Sequence, residues 1–183
     1  MIVPKNSYRL QDRNLNFEVA DDFDFNNSST CYYLRGGNGF GKTSFLEKIV
    51  IPALKVANRQ YLYIGQDIRT QLYTLRALLS MQGHKISDTD EYELLKIWVH
   101  QGQTARTFIL DEFDKYFPDY HFIFDWSRSF IQNYIIVTHQ HLQPARTGAE
   151  GLEATHVIFE LIGFDGQFKH VRVRKESYDN VKV

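Results

Sequence analysis

Gly36-Gly37-Asn38-Gly39-Phe40-Gly41-Lys42-Thr43 is the stretch of this chain whose residue types are best set for chemistry. It fits the pattern G-x-x-x-x-G-K-[ST] at every fixed position. Its glycines let the backbone curl and turn several N–H groups toward one point, which makes a cradle for an anion. A helix starting after the loop would add the positive end of its dipole to the same spot. Lys42 would place a point charge on the β- and γ-phosphates of a nucleotide. Thr43 would offer a hydroxyl to Mg²⁺, a cation that takes oxygen ligands and keeps several waters. The chemistry implied is binding of a nucleoside triphosphate with magnesium.

Three other places carry groups suited to that chemistry. Phe108-Ile109-Leu110-Asp111-Glu112 is an apolar run ending in two carboxylates. Asp111 would hold Mg²⁺ through water, and Glu112 would polarise the water that attacks the γ-phosphate. Tyr134-Ile135-Ile136-Val137-Thr138-His139 is a second apolar run, ending in a histidine. A histidine at the C-terminal edge of such a strand lies on the ligand side of an open α/β sheet, within reach of the γ-phosphate. His139 and His141 are also spaced to share a metal, but no third ligand accompanies them. Tyr63-Ile64-Gly65-Gln66 sets a glutamine after a third apolar run, where its amide oxygen would complete the Mg²⁺ shell.

The surrounding elements would have to bring these groups together. Cys31-Tyr32-Tyr33-Leu34 reads as a buried strand feeding the glycine loop, and Ser44 to Val50 as the helix leaving it. Ile51-Pro52 is expected to bend or end that helix. Residues 7–19 alternate and read as one or two strands, and residues 21–29 as a polar turn region. Gln60 to Ile64 reads as a strand. Residues 68–82 read as a helix with Leu72, Leu75, Leu78 and Leu79 on its apolar side, stopped by Gly83. Residues 89–102 read as another, capped by Asp88 or Thr89, with Tyr92, Leu95 and Val99 on one face. Thr107–Leu110 and Tyr134–Val137 are continuous apolar runs, as strands of a parallel sheet covered on both faces should be. Residues 118–131 read as helical. His156–Ile162 and Gln167–Arg174 flank an Asp-Gly turn and read as a hairpin.

Composition bounds the rest. The 183 residues suffice for one domain with a full core. The net charge of −1 gives no basic field to draw the chain to nucleic acid or anionic lipid. The single cysteine, Cys31, excludes a disulfide framework and suits a reducing cytoplasm, with Cys31 as core filler. The first residues lack the basic head and apolar run of a signal peptide. No run reaches the ~18 apolar residues of a membrane span, so contact with a membrane is expected only through a partner.

The series Gly36–Thr43, Gln66, Asp111-Glu112 and His139 resembles, in order and spacing, the ATP-binding-cassette (ABC) ATPases. In that family these positions are the Walker A loop, the Q-loop, the Walker B strand with its catalytic glutamate, and the switch histidine. Asn38 and Ser44 fit the family's G-x-N-G-x-G-K-[ST]-[ST] form. The resemblance covers residues 30–140. It implies an α/β P-loop NTPase of one domain over 1–183. The sheet would be mainly parallel with flanking helices, an N-terminal antiparallel β portion and a short helical subdomain over 67–104. It also implies ATP hydrolysis by a nucleotide-dependent homodimer, or a pair with a related ATPase subunit. Such an ATPase would drive a membrane permease as the ATPase subunit of a transporter. The alternatives are a soluble effector such as a nuclease in DNA metabolism or defence, and a low-turnover ATP switch.

The chain departs from the family at the signature Leu-Ser-Gly-Gly-Gln, expected about two dozen residues before Asp111. Ile86-Ser87-Asp88-Thr89-Asp90 stands there, matching only at Ser87. In the family that serine touches the partner subunit's ATP. Here Asp88 and Asp90 would bring negative charge toward a polyanion. The insert between Gln66 and Asp111 is short and carries no heptads, which excludes a long coiled coil. Tyr8 and Phe17 are the candidates for stacking on adenine, and Asp114 or Asp119 for the family's D-loop aspartate.

Overall fold

The computed structural model describes residues 2–25, 30–84, 90–118, 122–138 and 153–176. Two inner strands set the architecture. β7 (Thr107–Asp111) and β8 (Asn133–Val137) are buried at every position. Their side chains alternate between two cores. Phe108, Leu110, Tyr134 and Ile136 enter one, whereas Ile109, Ile135 and Val137 enter the other. Such a strand needs a layer on each face, so its central run is continuously apolar rather than alternating.

The layers are helical on both sides. The first core is closed by α3 (Ile68–Met81), α4 (Glu91–Gln101) and α5 (Phe122–Ser127). The second is closed by a rod built from α1 (Lys42–Phe45), a π-helical turn (Leu46–Val50) and α2 (Ile51–Val56). Pro52 was expected to bend or end this rod, yet the rod runs on to Val56. The π turn is the reason. Ile51 N–H reaches back to the Leu46 carbonyl, and the widened turn makes room where proline has no N–H and would crowd the preceding carbonyl.

The main sheet has the order β2-β3-β10-β9-β5-β8-β7-β6. Its other strands are β2 (Asn6–Leu10), β3 (Leu15–Val19), β5 (Thr30–Gly36), β6 (Tyr61–Ile64), β9 (Glu153–Phe164) and β10 (Lys169–Glu176). A two-stranded ribbon, β1 (Ile2–Val3) with β4 (Phe23–Asp24), stands apart. Every pairing from β9 to β6 is parallel, whereas β2–β3 and β9–β10 are antiparallel. The fold is therefore α/β with a mainly parallel sheet. The N-terminal antiparallel pair is not a separate layer, because β3 pairs in parallel with β10 and extends the same sheet.

Other local departures have simple causes. The α4 cap is Asp90, whose Oδ1 accepts the Glu93 N–H at 2.8 Å, so the helix starts later than expected. Leu78, read as part of the α3 apolar face, is exposed; Ile68, Leu72, Leu75 and Leu79 make the buried stripe, and a Leu next to Leu79 points about 100° away. Tyr92 lies at the surface while Leu94, Leu95 and Val99 are buried. Gly83 does end α3, at φ 86. Cys31 is buried, and burial pushes its thiol up to about 12, as expected of core filler. Among the described residues no helix is long and apolar enough to cross a membrane.

Candidate functional site

The site forms along one sheet edge because β5, β6, β7 and β8 run parallel and end together. The glycine loop leaves β5. Gln66 follows β6, and Asp111 ends β7 with Glu112 next. β8 lies between β5 and β7, so the strand leading to Thr138 ends between the loop and the carboxylates. That is the crevice where open α/β sheets bind ligands.

The loop needs its glycines where backbones crowd. Gly41 is left-handed at φ 80, and a Cβ there would come within 2.7 Å of Leu15 Cδ1 and 2.9 Å of Phe17 Cζ. Gly36 lies against β9, where a Cβ would fall 2.6 Å from the Phe159 carbonyl oxygen. The Phe40 ring folds back over Gly37, and Asn38 and Gly39 are exposed. Gly41→Ala is expected to destabilise the fold by about 1–3 kcal/mol, from strain plus overpacking. An unchanged urea midpoint would contradict it.

Lys42 is buried and turned into the loop, with Nζ donating to the carbonyls of Gly36 at 2.8 Å and Gly37 at 3.1 Å. Burial pulls its ammonium below the usual lysine range, while the charges of Glu112 and Asp111 work the other way. At the foot of the loop three residues meet. Thr43 Oγ1 donates to Asp111 Oδ1 at 3.1 Å, and Gln66 Nε2 donates to Thr43 Oγ1 at 2.7 Å. Tyr63 OH donates to Asp111 Oδ2 at 3.3 Å. Asp111 is wholly buried. Burial pushes its carboxyl up to about 6, helped by the neighbouring Glu112 charge and opposed by the bonds from Thr43 and Tyr63. A buried carboxylate to which no cationic side chain among the described residues is bonded, beside a hydroxyl and an amide, is a donor set suited to Mg²⁺. Among the described residues no group of three His, Cys, Asp or Glu gathers to hold a metal by protein ligands alone.

Glu112 is held in an uncommon backbone state. Its φ of 54 and ψ of 28 lie in the left-handed region, which costs a non-glycine residue roughly 1 kcal/mol or more. Its N–H bonds the Val137 carbonyl at 3.0 Å, which ties the turn after β7 to the end of β8. Its carboxylate pairs with Lys115. Asp114, a D-loop candidate, is buried and accepts the Thr138 hydroxyl at 2.8 Å, a bond within the subunit.

A cavity of about 660 Å³ opens over the loop. Gly39, Gly41, Lys42, Thr43, Ser44, Gln66 and Glu112 line it from below. Arg13 and Asn14, from the turn after β2, and Phe164, Gly166, Gln167 and Lys169, from the β9–β10 hairpin, line the rest. Lys169 Nζ lies 3.5 Å from the Gly39 carbonyl oxygen. The structure thus gathers the glycine loop, Gln66, Asp111 and Glu112 at one place. His139, His141, Ser87 and Asp119 lie outside the described residues. Tyr8 and Phe17 do not line the cavity. Phe17 is buried against Phe45 and Phe159, and Tyr8 packs on the second core with its hydroxyl on the Pro4 carbonyl. Tyr63, Lys169 and Phe164 went unread in the sequence as site residues. Tyr63 stands three residues before Gln66, a spacing that was available, but the hairpin residues reach the site only through the long-range pairings of β9 with β5 and β10 with β3.

The strand order, the loop and its helix, and the carboxylates at the end of β7 make this the fold of a P-loop NTPase. No protein-family model matches the chain, and no curated protein does. Among solved structures it is similar to a KaiC-like protein from the hyperthermophilic archaeon Pyrococcus horikoshii OT3. The two are 12% identical, the likeness covers 82% of this chain and 81% of that one, and the TM-score is 0.41. A likeness of that size bears on neither the fold nor the chemistry.

Proposed function

We propose that this chain is a small ABC-type ATPase that binds Mg·ATP, hydrolyses it, and drives a partner through nucleotide-dependent dimerisation. The observation that carries the reading is the meeting of Thr43, Gln66 and Asp111 at the foot of the glycine loop. A glutamine bonded to the loop threonine, which in turn bonds the strand carboxylate, with a helical insert after the glutamine, is the arrangement the motif order implied. α3 and α4 supply that insert between Gln66 and Asp111.

Each residue has a task. Backbone N–H groups of residues 37–43 would bind the phosphates, and Lys42 would exchange the Gly36 and Gly37 carbonyls for phosphate oxygens. Thr43, Gln66 and Asp111 would hold Mg²⁺, with the Gln66 amide turning its oxygen inward. The ion, when bound, neutralises charge on the β- and γ-phosphates. Glu112 would orient and deprotonate the attacking water, and His139 would sense the γ-phosphate. Ser87 would reach a partner subunit's nucleotide.

The partner we favour is a membrane permease, which makes the chain the ATPase subunit of a transporter. Tyr73 and Met81, 75% and 84% exposed, lie two turns apart on α3, the helix that follows Gln66. They give an apolar face on the helix that leads away from the residue that would couple nucleotide to partner. A low-turnover switch is favoured by a different observation, the ion pair that occupies Glu112. Phosphate release with Mg·ATP, with light scattering in parallel, tests the core of this reading. Steady turnover and a dimer seen only with nucleotide are expected. A single burst without turnover would favour the switch, and no ATP binding at all would overturn both.

A further inference from the structure

We propose that Phe164, at the tip of the β9–β10 hairpin, is the platform on which the base of the bound nucleotide stacks. This rests on the reading that the glycine loop holds a triphosphate, and it assigns the part of the ligand that the loop does not touch.

Phe164 is 64% exposed, yet it belongs to the wall of the cavity over the phosphate loop. A large aromatic left open to water beside a nucleotide-sized cavity has a π-face ready for a base. The tip that carries it is braced. Asp165 Oδ1 accepts the N–H groups of Gln167 at 3.0 Å and Phe168 at 2.7 Å. Asp165 Oδ2 accepts His170 Nε2–H at 3.0 Å, and His170 Nδ1 takes the Asn16 amide at 3.1 Å, which ties the turn to β3. Phe168 is buried next to it with the Arg9 guanidinium over its ring at 4.0 Å. The ring of Phe164 is therefore presented on a fixed turn, so little ordering is needed when a base arrives.

The same hairpin carries a cation to the loop. Lys169 starts β10, its N–H bonds the Asn14 carbonyl at 2.9 Å, and its ammonium lies by Gly39. An aromatic at the end of one strand and a lysine at the start of the next would thus address base and phosphate together. No aromatic of the N-terminal strands competes for the role, because Tyr8 and Phe17 are spent in packing.

Equilibrium binding of ATP and of inorganic tripolyphosphate, both with Mg²⁺, separates the two halves of the ligand. Removing a base–aromatic stack by alanine substitution weakens binding by about tenfold or more. Phe164→Ala is expected to lose that much for ATP and to hold tripolyphosphate as the wild type does, with Phe164→Trp restoring ATP. Equal ATP affinity in Phe164→Ala and wild type would overturn the assignment and leave the ring to a protein partner. Equal losses for both ligands would overturn it too, by showing a structural role. If wild type binds neither ligand, the triphosphate reading itself fails, a result distinct from either.

Discussion

Glu112→Gln is expected to cut steady-state phosphate release by two orders of magnitude or more while leaving Mg·ATP binding within a few-fold of wild type. The amide has nearly the size and shape of the carboxylate, so the turn after β7 should persist. What is lost is the ability to accept a proton from water. The residue's left-handed φ is informative here, because an L-residue tolerates that strain only where its surroundings fix it. The bond from Glu112 N–H to Val137 and the burial of Asp111 and Phe113 on either side do that fixing. Losing the pair with Lys115 should matter little to stability, since Lys115 is largely exposed. Trapped ATP should also hold two subunits together if the nucleotide sits between them, and light scattering reads that directly. Turnover equal to wild type would remove Glu112 from the chemistry, and with it the strongest reason to read hydrolysis rather than binding alone.

The contrast between what was legible and what was not has a physical basis. The glycine loop is a local device: its geometry is written in consecutive residues, and Gly41 at φ 80 and Gly36 against β9 do what their residue type allows. β7 and β8 were equally plain, because a strand covered on both faces carries a continuous apolar run, here Phe108–Leu110 and Tyr134–Val137. Gln66 was readable only through the order of motifs, and its bond to Thr43 then follows from β6 and β7 ending at one edge. Phe164 and Lys169 were opaque for the opposite reason. They lie more than a hundred residues from the loop, and the parallel pairings of β9 with β5 and of β10 with β3 bring their hairpin over it. No local pattern announces such a crossing. The adenine candidates failed similarly: Phe17 alternates inward on β3, and the second core claims its ring. Pro52 misled because a proline reads as a stop unless the preceding turn widens, and nothing in Leu46–Val50 signals a π turn.

Asp111→Asn should make the nucleotide-free protein more stable and the enzyme nearly inactive. The Asp111 pKa is about 6 in the folded chain against an ordinary value of 3.8. Between those values the folded state binds more protons than the unfolded one, so this group's contribution to stability falls as pH rises through the window. Above it, the fold carries a charge that burial disfavours. Asparagine has no charge to bury, and the hydroxyls of Thr43 and Tyr63 can turn to suit it. The variant should gain about 1–3 kcal/mol at pH 7.5, or several degrees in melting temperature, and the gain should vanish toward pH 4. The same carboxylate must be ionised to hold Mg²⁺, so wild-type Mg²⁺ affinity should drop about tenfold per unit as pH falls below about 6. Turnover in the variant should fall by at least a hundredfold. Melting curves at the two pH values decide the first claim: a variant less stable than wild type at pH 7.5 would show that the carboxylate is held by favourable contacts. The two signs belong together, because a buried carboxylate kept ready for a cation carries a charge that burial disfavours until the cation arrives.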